Sequence, residues 1–192
     1  NQHRLASADI SGESFNPVPD FEIKPPQGPG QQYTLESGGK HVKSFKGASF
    51  TKGRSLYFAV SCGACHRMGG LGGDIGPDLS SIPNKFDSAY VLEAIINPNK
   101  DVSDQYSMFD IVLADGSEKQ GLYVRNGKDV SIYPAGHSGE PFLTTIDQVK
   151  SVKQTSISQM PAGLINSLNP SELRDLMGYL MSGGNPKSGI YR

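Results

Sequence analysis

The chain has 192 residues, a length that suits one or at most two domains. Its 18 Lys and Arg residues nearly balance its 19 Asp and Glu residues, so the overall charge gives no argument for binding to nucleic acid or to an acidic membrane surface. No run of about 18 apolar residues occurs, so the sequence predicts no transmembrane helix in this chain.

Residues 1–49 are predicted to form an extended N-terminal arm. Prolines between Pro17 and Pro29 alternate with Gly and polar residues, and few apolar residues recur at any period. Two interpretations stay open: a disordered tail, or an extended strap laid over the domain or over a partner. The strap interpretation draws on four residues that are apolar enough to dock, namely Phe15, Val18, Phe21 and Ile23.

A short helix is predicted over residues 50–61, with Thr51 as its N-cap, and it leads into Cys62-Gly63-Ala64-Cys65-His66. A C-x-x-C-H run is typical of the site at which haem c is attached covalently, and chance gives it in roughly one of five thousand chains of this composition. The spacing suits the chemistry. Two thiols one helical turn apart can each form a thioether with a haem vinyl group, while the adjacent imidazole lies under the iron.

Three other interpretations of the cysteines stay open. A zinc site needs about four ligands, usually with more thiolates, and the chain has no third Cys. A thioredoxin-like C-x-x-C motif expects a strand, a turn and a helix, whereas the residues before Cys62 have a helical pattern. A disulfide between Cys62 and Cys65 would be strained and would leave His66 unexplained.

The segment after the motif is rich in glycine. Five Gly residues fall within residues 69–76, a density that no helix sustains and that lets the backbone approach a flat cofactor closely. Residues 86–98 then predict a second helix, capped by Asp87 or Ser88 and ended by Asn97-Pro98. Its apolar face consists of Val91, Leu92, Ile95 and Ile96.

Further along the chain the period changes from helical to alternating. Met108–Leu113 predicts a strand, and Asp115-Gly116 and Asn126-Gly127 are hairpin signals. Further short strands are predicted at residues 120–125, 130–133, 142–146 and 149–152. Together they predict a small antiparallel β insertion at about residues 105–153, too short to count as a separate domain.

The last predicted element is a helix that begins at Pro170. Asn169 is its N-cap, Pro170 takes the first helical position and Glu172 is the acid of a capping box. Gly183-Gly184 ends the helix. Its buried stripe consists of Leu173, Leu176, Met177 and Leu180.

Met160 is the favoured candidate for a second ligand to a haem iron. Met and His usually fill that position, and Met160 lies in a loop between the β insertion and the last helix. His137, in a loop of the insertion, is an alternative ligand, and an open or exogenously filled position is a third interpretation. The other methionines fit less well: Met177 and Met181 have core spacing, Met108 opens a strand, and Met68 is too near the attachment site to cross the ring.

These features together resemble class I c-type cytochromes. More narrowly, the order of the motifs is similar to that of a haem-binding domain found in Planctomycetes and Verrucomicrobia. The resemblance covers about residues 50–184 and leaves the arm out. The motifs that carry it are Cys62–His66, Gly69–Gly73, Gly76–Leu79, Ile95–Pro98, Ser107–Lys153, Ser158–Leu164 and Asp175–Leu180.

The resemblance implies a fold and a set of site residues. We expect a mainly α chain, with a cytochrome c-like helical haem domain at residues 50–184, the β insertion within it, and a tail at residues 185–192. Cys62 and Cys65 would hold one haem c, with His66 as proximal and Met160 as distal ligand. The carbonyl of Pro77 would accept the Nδ1–H of the proximal His, which fixes the ring.

The expected function is electron transport rather than catalysis. The expected partners are redox proteins, including a membrane-bound or multisubunit respiratory or photosynthetic complex of which this chain would be a subunit. Because haem c is attached outside the bacterial cytoplasm, we expect a periplasmic or otherwise extracytoplasmic location, with Asn1 following a processing site or a chain boundary. Membrane association would come through a partner or through an N-terminal anchor that has been removed.

Two alternative functions stay open at this point. A ligand-binding or catalytic haem, such as that of a gas sensor or peroxidase, needs a vacant or labile sixth position and a distal polar base. His137 and Met160 are the residues that discriminate it from an electron carrier. The second alternative is the electron-accepting module of a dehydrogenase whose catalytic part is another chain.

Overall fold

The computed structural model describes residues 19–135 and 140–192. They form two compact units: a helical unit, made of the residues up to Ile96 together with Gly163–Arg192, and a sheet unit, Asn97–Ala162. The helical unit contains α1 (Leu35–Gly39), α2 (Phe50–Ala59), α3 (Cys62–Cys65), α4 (Ser88–Ile96) and α5 (Pro170–Met181). It also contains the short hairpin β1 (Arg67–Met68) and β2 (Leu71–Gly72), and the 3-10 turns Ile82–Asn84 and Gly189–Tyr191.

The core of the helical unit is the crossing of α2 and α5. Gly53 of α2 lies directly against the backbone of Asp175, and a Cβ placed there would be 2.8 Å from the Cβ of Tyr179. The Tyr179 ring packs against Phe50 and Tyr57, with centroid distances of 5.3 Å and 5.4 Å. The two helices can approach this closely because glycine has no side chain to hold them apart. Four leucines complete the buried contact: Leu56, Leu173, Leu176 and Leu180.

The helix starts follow from side chains that cap backbone N–H groups. Asn169 and Glu172 form the capping box of α5, as the sequence predicts. The cap of α4 is Asp87, whose carboxylate accepts the N–H of Tyr90 at 2.8 Å. The predicted N-cap of α2, Thr51, is wrong. Ser49 caps this helix instead, and its own N–H donates to the buried Asp175 carboxylate at 2.8 Å, a long-range contact without a local signal.

The sheet unit is built from five antiparallel strands. They are β3 (Ser107–Leu113), β4 (Glu118–Asn126), β5 (Asp129–Tyr133), β6 (Phe142–Thr145) and β7 (Val149–Ser158), in the spatial order β6-β5-β4-β3-β7. The 3-10 turns Asp104–Tyr106 and Ile146–Gln148 precede β3 and β7. One face buries a cluster of Ile111, Leu113, Val130 and Ile132. Alternation along the strands places these residues on one face, as expected for a sheet with one solvated side.

The expectation of a mainly α chain is wrong. The described residues are 31% helical and 23% strand, and they include a five-stranded antiparallel sheet. The principal helices are short, since α2 spans 10 residues and α4 spans 9. The sheet is also larger than predicted, because β7 continues past Val152 to Ser158. Ser158 pairs with Ser107 of β3, beyond a shift in the register of the two strands. Such a shift breaks the two-residue alternation from which strand ends are predicted.

Candidate functional site

The two cysteines lie on a single turn of helix. Ser61 takes a left-handed conformation with φ of 66°, which separates α2 from α3 and starts the new turn at Cys62. The carbonyl of Cys62 accepts the N–H of His66 at 2.9 Å, so the turn closes on the residue that follows Cys65. Residues three apart on a helix share a face, and both side chains are free thiols.

Burial disfavours the ionised, thiolate form of both cysteines. It raises the pKa of Cys62 to about 12 and also raises the pKa of Cys65. Thiolates are the form that binds zinc or attacks a disulfide, and redox-active C-x-x-C pairs have lowered pKa values. The environment therefore favours neutral sulfur, and the thioether that a haem vinyl group forms is a neutral product.

The imidazole of His66 is held by the loop that follows it. Its Nδ1 lies 2.9 Å from the carbonyl oxygen of Pro77, the hydrogen bond that the resemblance implies. A carbonyl oxygen can only accept, so Nδ1 carries the proton and the lone pair is on Nε2. Burial lowers the pKa of His66, against a smaller opposing effect of the Pro77 hydrogen bond, which favours the neutral ring that binds a metal.

The glycine-rich loop folds back along the motif and is bonded to its backbone. Three N–H groups of the loop donate to three carbonyls of residues 63–67 at 2.8–2.9 Å. The pairs are Gly73 to Gly63, Gly76 to Cys65, and Leu79 to Arg67. The loop therefore forms one wall against the attachment motif.

Side chains would not fit at Gly73 or Gly76 of this loop. A Cβ on Gly76 would stand 2.6 Å from Cε1 and 2.7 Å from Nδ1 of His66, and one on Gly73 would collide with the carbonyl of Ala64. The loop backbone thus lies close to the His66 ring at Gly76 and close to the Ala64 backbone at Gly73. Together with two thiols on one turn and an imidazole with a free Nε2 lone pair, this wall suits a covalently attached haem.

Tyr57 is a site residue that the sequence analysis missed. Its hydroxyl donates to the carbonyl of His66 at 2.6 Å, and its side chain is fully buried against Phe58 and Tyr179. Because Tyr57 belongs to α2, this bond ties the backbone of His66 to the helical core. Helical periodicity marks Tyr57 as buried but gives no signal for its partner nine residues away.

We expect Tyr57→Phe to lower the free energy of unfolding of the haem-loaded protein by about 1–3 kcal/mol, because the His66 carbonyl loses a buried donor. Urea unfolding measures this change. Tyr123→Phe in the sheet unit is the control, since Tyr123 is partly buried and its hydroxyl makes no hydrogen bond within the described residues. Equal effects of the two variants would contradict the role assigned to Tyr57.

Met160, the predicted second ligand, belongs to the sheet unit. It follows the end of β7, is half-buried, and its N–H donates to Ser158 Oγ at 3.1 Å. The structure therefore brings together Cys62, Cys65, His66 and Pro77, while the role of Met160 stays a prediction. The alternative ligand His137 lies outside the described residues.

The remaining methionines are buried or half-buried within the two units. Met68 and Met177 are fully buried in the helical unit, and Met108 is buried in β3 of the sheet unit. Met181 is half-buried at the end of α5. Within residues 19–135 and 140–192, no group of three or more His, Cys, Asp and Glu side chains is placed to hold a metal ion.

The family model for cytochrome c matches residues 50–109, which include α2, the C-x-x-C-H motif and the glycine-rich loop. This match supports a c-type cytochrome. It covers less than half of the chain, and no curated protein sequence matches.

A c-type cytochrome implies haem, iron and electron transport, and such domains are generally extracytoplasmic. Covalent haem c agrees with the positions of Cys62 and Cys65 in the motif. None of the described helices has the length and hydropathy needed to span a lipid bilayer.

Proposed function

We propose that this cytochrome is a one-electron carrier with one haem c, attached through Cys62 and Cys65 and bound axially by His66 and Met160. The observation that carries the proposal is the geometry at His66. Its Nδ1–H is held by the Pro77 carbonyl, its Nε2 is free to bind iron, and both thiols lie on the preceding helical turn. A haem in this place supplies reversible exchange of one electron between its ferric and ferrous states.

The residues of this chain have separate tasks in that function. Cys62 and Cys65 fix the cofactor covalently and without added charge. The hydrogen bond from His66 to Pro77 sets the ring orientation and increases the basicity of Nε2 as a ligand. The backbone of Gly76 lies against the His66 ring and limits its rotation.

Met160 is proposed as the second ligand on the chemistry of its side chain and its place before α5. A thioether sulfur prefers ferrous iron, so His and Met ligation raises the reduction potential relative to ligation by two nitrogen donors. With both axial positions taken by side chains, no substrate needs to bind. We therefore propose a carrier rather than an enzyme, which exchanges electrons with redox proteins through small transient interfaces outside the cytoplasm.

The test is the absorption spectrum of the wild type and of Met160→Ala, oxidised and reduced. We expect the mutant to keep its haem covalently attached, to lose the weak far-red band of Met-bound ferric iron completely, and to have a lower reduction potential. Met181→Ala is the matched control, because Met181 is also half-buried but is proposed only to pack.

Two results would contradict the proposal in different ways. A Met160→Ala spectrum identical to that of the wild type would assign the sixth position to another residue. A wild-type spectrum of high-spin ferric iron without the far-red band would favour the ligand-binding or catalytic alternative.

A further inference from the structure

Residues 19–34 form an extended strap over the helical unit, and its first part lies on α2. The N–H of Lys24 donates to Ser55 Oγ at 2.8 Å. The Arg54 guanidinium stands 3.9 Å from the centre of the Phe21 ring, and that ring packs edge-on against Phe58 at 5.6 Å. A hydrogen bond, a cation–π contact and an aromatic pair thus fix this part of the strap to a rigid helix.

The second part of the strap lies on the segment Gly163–Asn169, which connects Met160 to α5. The hydroxyl of Tyr33 donates to the Leu168 carbonyl at 3.0 Å, in a bond that is buried from solvent. The backbone of Gly30 lies directly on the same segment. A Cβ at Gly30 would collide with the Asn166 carbonyl and stand 2.8 Å from Cα of Ser167.

The strap also joins the capping box of α5. The Glu172 carboxylate accepts the N–H of Asn169 at 2.9 Å with one oxygen and the N–H of Gln27 at 2.5 Å with the other. The side-chain amide of Asn169 donates to the Gly28 carbonyl at 3.3 Å. The strap therefore contacts this segment and the helix start at four residues, Gln27, Gly28, Gly30 and Tyr33.

The hydrogen bonds within the connecting segment are those of two short turns. Two turn hydrogen bonds, Asn166 to Gly163 at 3.0 Å and Leu168 to Ile165 at 3.1 Å, are internal to it. Only Ile165 and Leu168 bury their side chains fully. A segment made of short turns, five of whose seven residues are not fully buried, is expected to open locally before the protein unfolds.

We propose that the strap is a clamp for the methionine ligand, and that Tyr33 and Gly30 are positioning residues for Met160. This inference rests on the proposed function. Only Pro161 and Ala162 separate Met160 from the clamped segment. The contacts that hold the segment in place would therefore also help to keep the Met160 sulfur on the iron. Loss of one of these contacts would raise the fraction of molecules in which Met160 has dissociated from the iron.

The experiment measures binding of imidazole to the ferric, haem-loaded full chain. Exogenous imidazole competes with the methionine, so its apparent affinity follows the fraction of open molecules. We expect Tyr33→Phe to strengthen apparent imidazole binding about tenfold, the effect of one lost buried hydrogen bond on the opening equilibrium. Gly30→Ala, which forces the strap off the segment, should act in the same direction and serves as the second variant.

The matched control is Tyr191→Phe. The Tyr191 hydroxyl also donates to a backbone carbonyl, that of Gly178 at 3.1 Å, but at the opposite end of α5 from the clamped segment. If Tyr33 had a purely structural role, Tyr33→Phe and Tyr191→Phe would both lower the free energy of global unfolding. Their apparent affinities for imidazole would then be the same.

Equal imidazole affinities in the wild type, Tyr33→Phe and Tyr191→Phe would overturn the clamp while the far-red band of the wild type still supports Met160 as ligand. Absence of that band from the wild type would overturn the ligand assignment and the clamp together. Stronger imidazole binding in Tyr33→Phe and Gly30→Ala, with Tyr191→Phe at the wild-type value, supports the clamp.

Discussion

Replacement of both Cys62 and Cys65 by alanine is expected to abolish covalent haem attachment completely. Wild-type protein matured in a bacterial periplasm with a haem c attachment system should keep its colour in acidified organic solvent, because thioether bonds resist acid. The double variant should release all of its pigment or carry none. Intact-mass measurement gives the second readout, since the wild type should be heavier than its polypeptide by the mass of one haem.

The single variant Cys65→Ala is the internal control for this prediction. One thioether at Cys62 should still hold the cofactor in acid, with a shifted reduced spectrum because one vinyl group stays unsaturated. A colourless wild-type protein, or one whose pigment is extracted by acidified solvent, would contradict the haem c assignment. The free thiols in the structure would then have to serve another chemistry, although burial raises the pKa of both.

Gly53→Ala is expected to destabilise the helical unit by forcing α2 and α5 apart. Alanine normally stabilises the interior of a helix relative to glycine by about 1 kcal/mol. At Gly53 the added methyl group would collide with the Asp175 carbonyl and stand 2.8 Å from Tyr179 Cβ, so α2 and α5 must separate. We expect the free energy of unfolding to fall by about 1–3 kcal/mol, the range typical of overpacked cores.

Gly39→Ala is the matched control for the helix crossing. Gly39 also lies in a helix, and among the described residues no atom outside its chain neighbours and the backbone of α1 lies within 4 Å of a Cβ placed there. We expect this variant to be neutral or stabilised by less than about 1 kcal/mol. Urea unfolding of both haem-loaded variants decides the question, and equal changes in the two would show that backbone propensity, rather than helix packing, governs Gly53.

Much of the secondary structure could be predicted, because its signals are local. The start of α5 follows from three side chains within four residues. The strands of the sheet follow from the alternation of apolar and polar residues and from two hairpin signals. The expectation of a mainly α chain was wrong because it came from the family resemblance, whereas the local patterns themselves predicted the strands. Local patterns located most elements but missed α1, and they ended β7 at Val152, whereas pairing with β3 extends it to Ser158.

The attachment motif shows what could be predicted about the site. Cys62, Cys65 and His66 are close in sequence, so a single helical turn is enough to put them in reach of one cofactor. Pro77 came only from a family resemblance, and no local signal predicted the hydrogen bond from Tyr57 to the His66 carbonyl. The division of the chain into an arm, a haem domain and a tail stays a prediction, as does the finer resemblance to the Planctomycetes and Verrucomicrobia domain.

The sequence by itself determined the attachment motif of this protein. Cys62, Cys65 and His66 lie within one helical turn, so they are close in space whatever path the rest of the chain takes. Tertiary structure alone decided which nitrogen of His66 is free, since the Pro77 carbonyl that selects it lies eleven residues away. It likewise decided that the strap from Gln27 to Tyr33 closes on the segment before α5, a contact across more than a hundred residues. Such contacts depend on the path of the backbone, and no local pattern of residue types encodes that path.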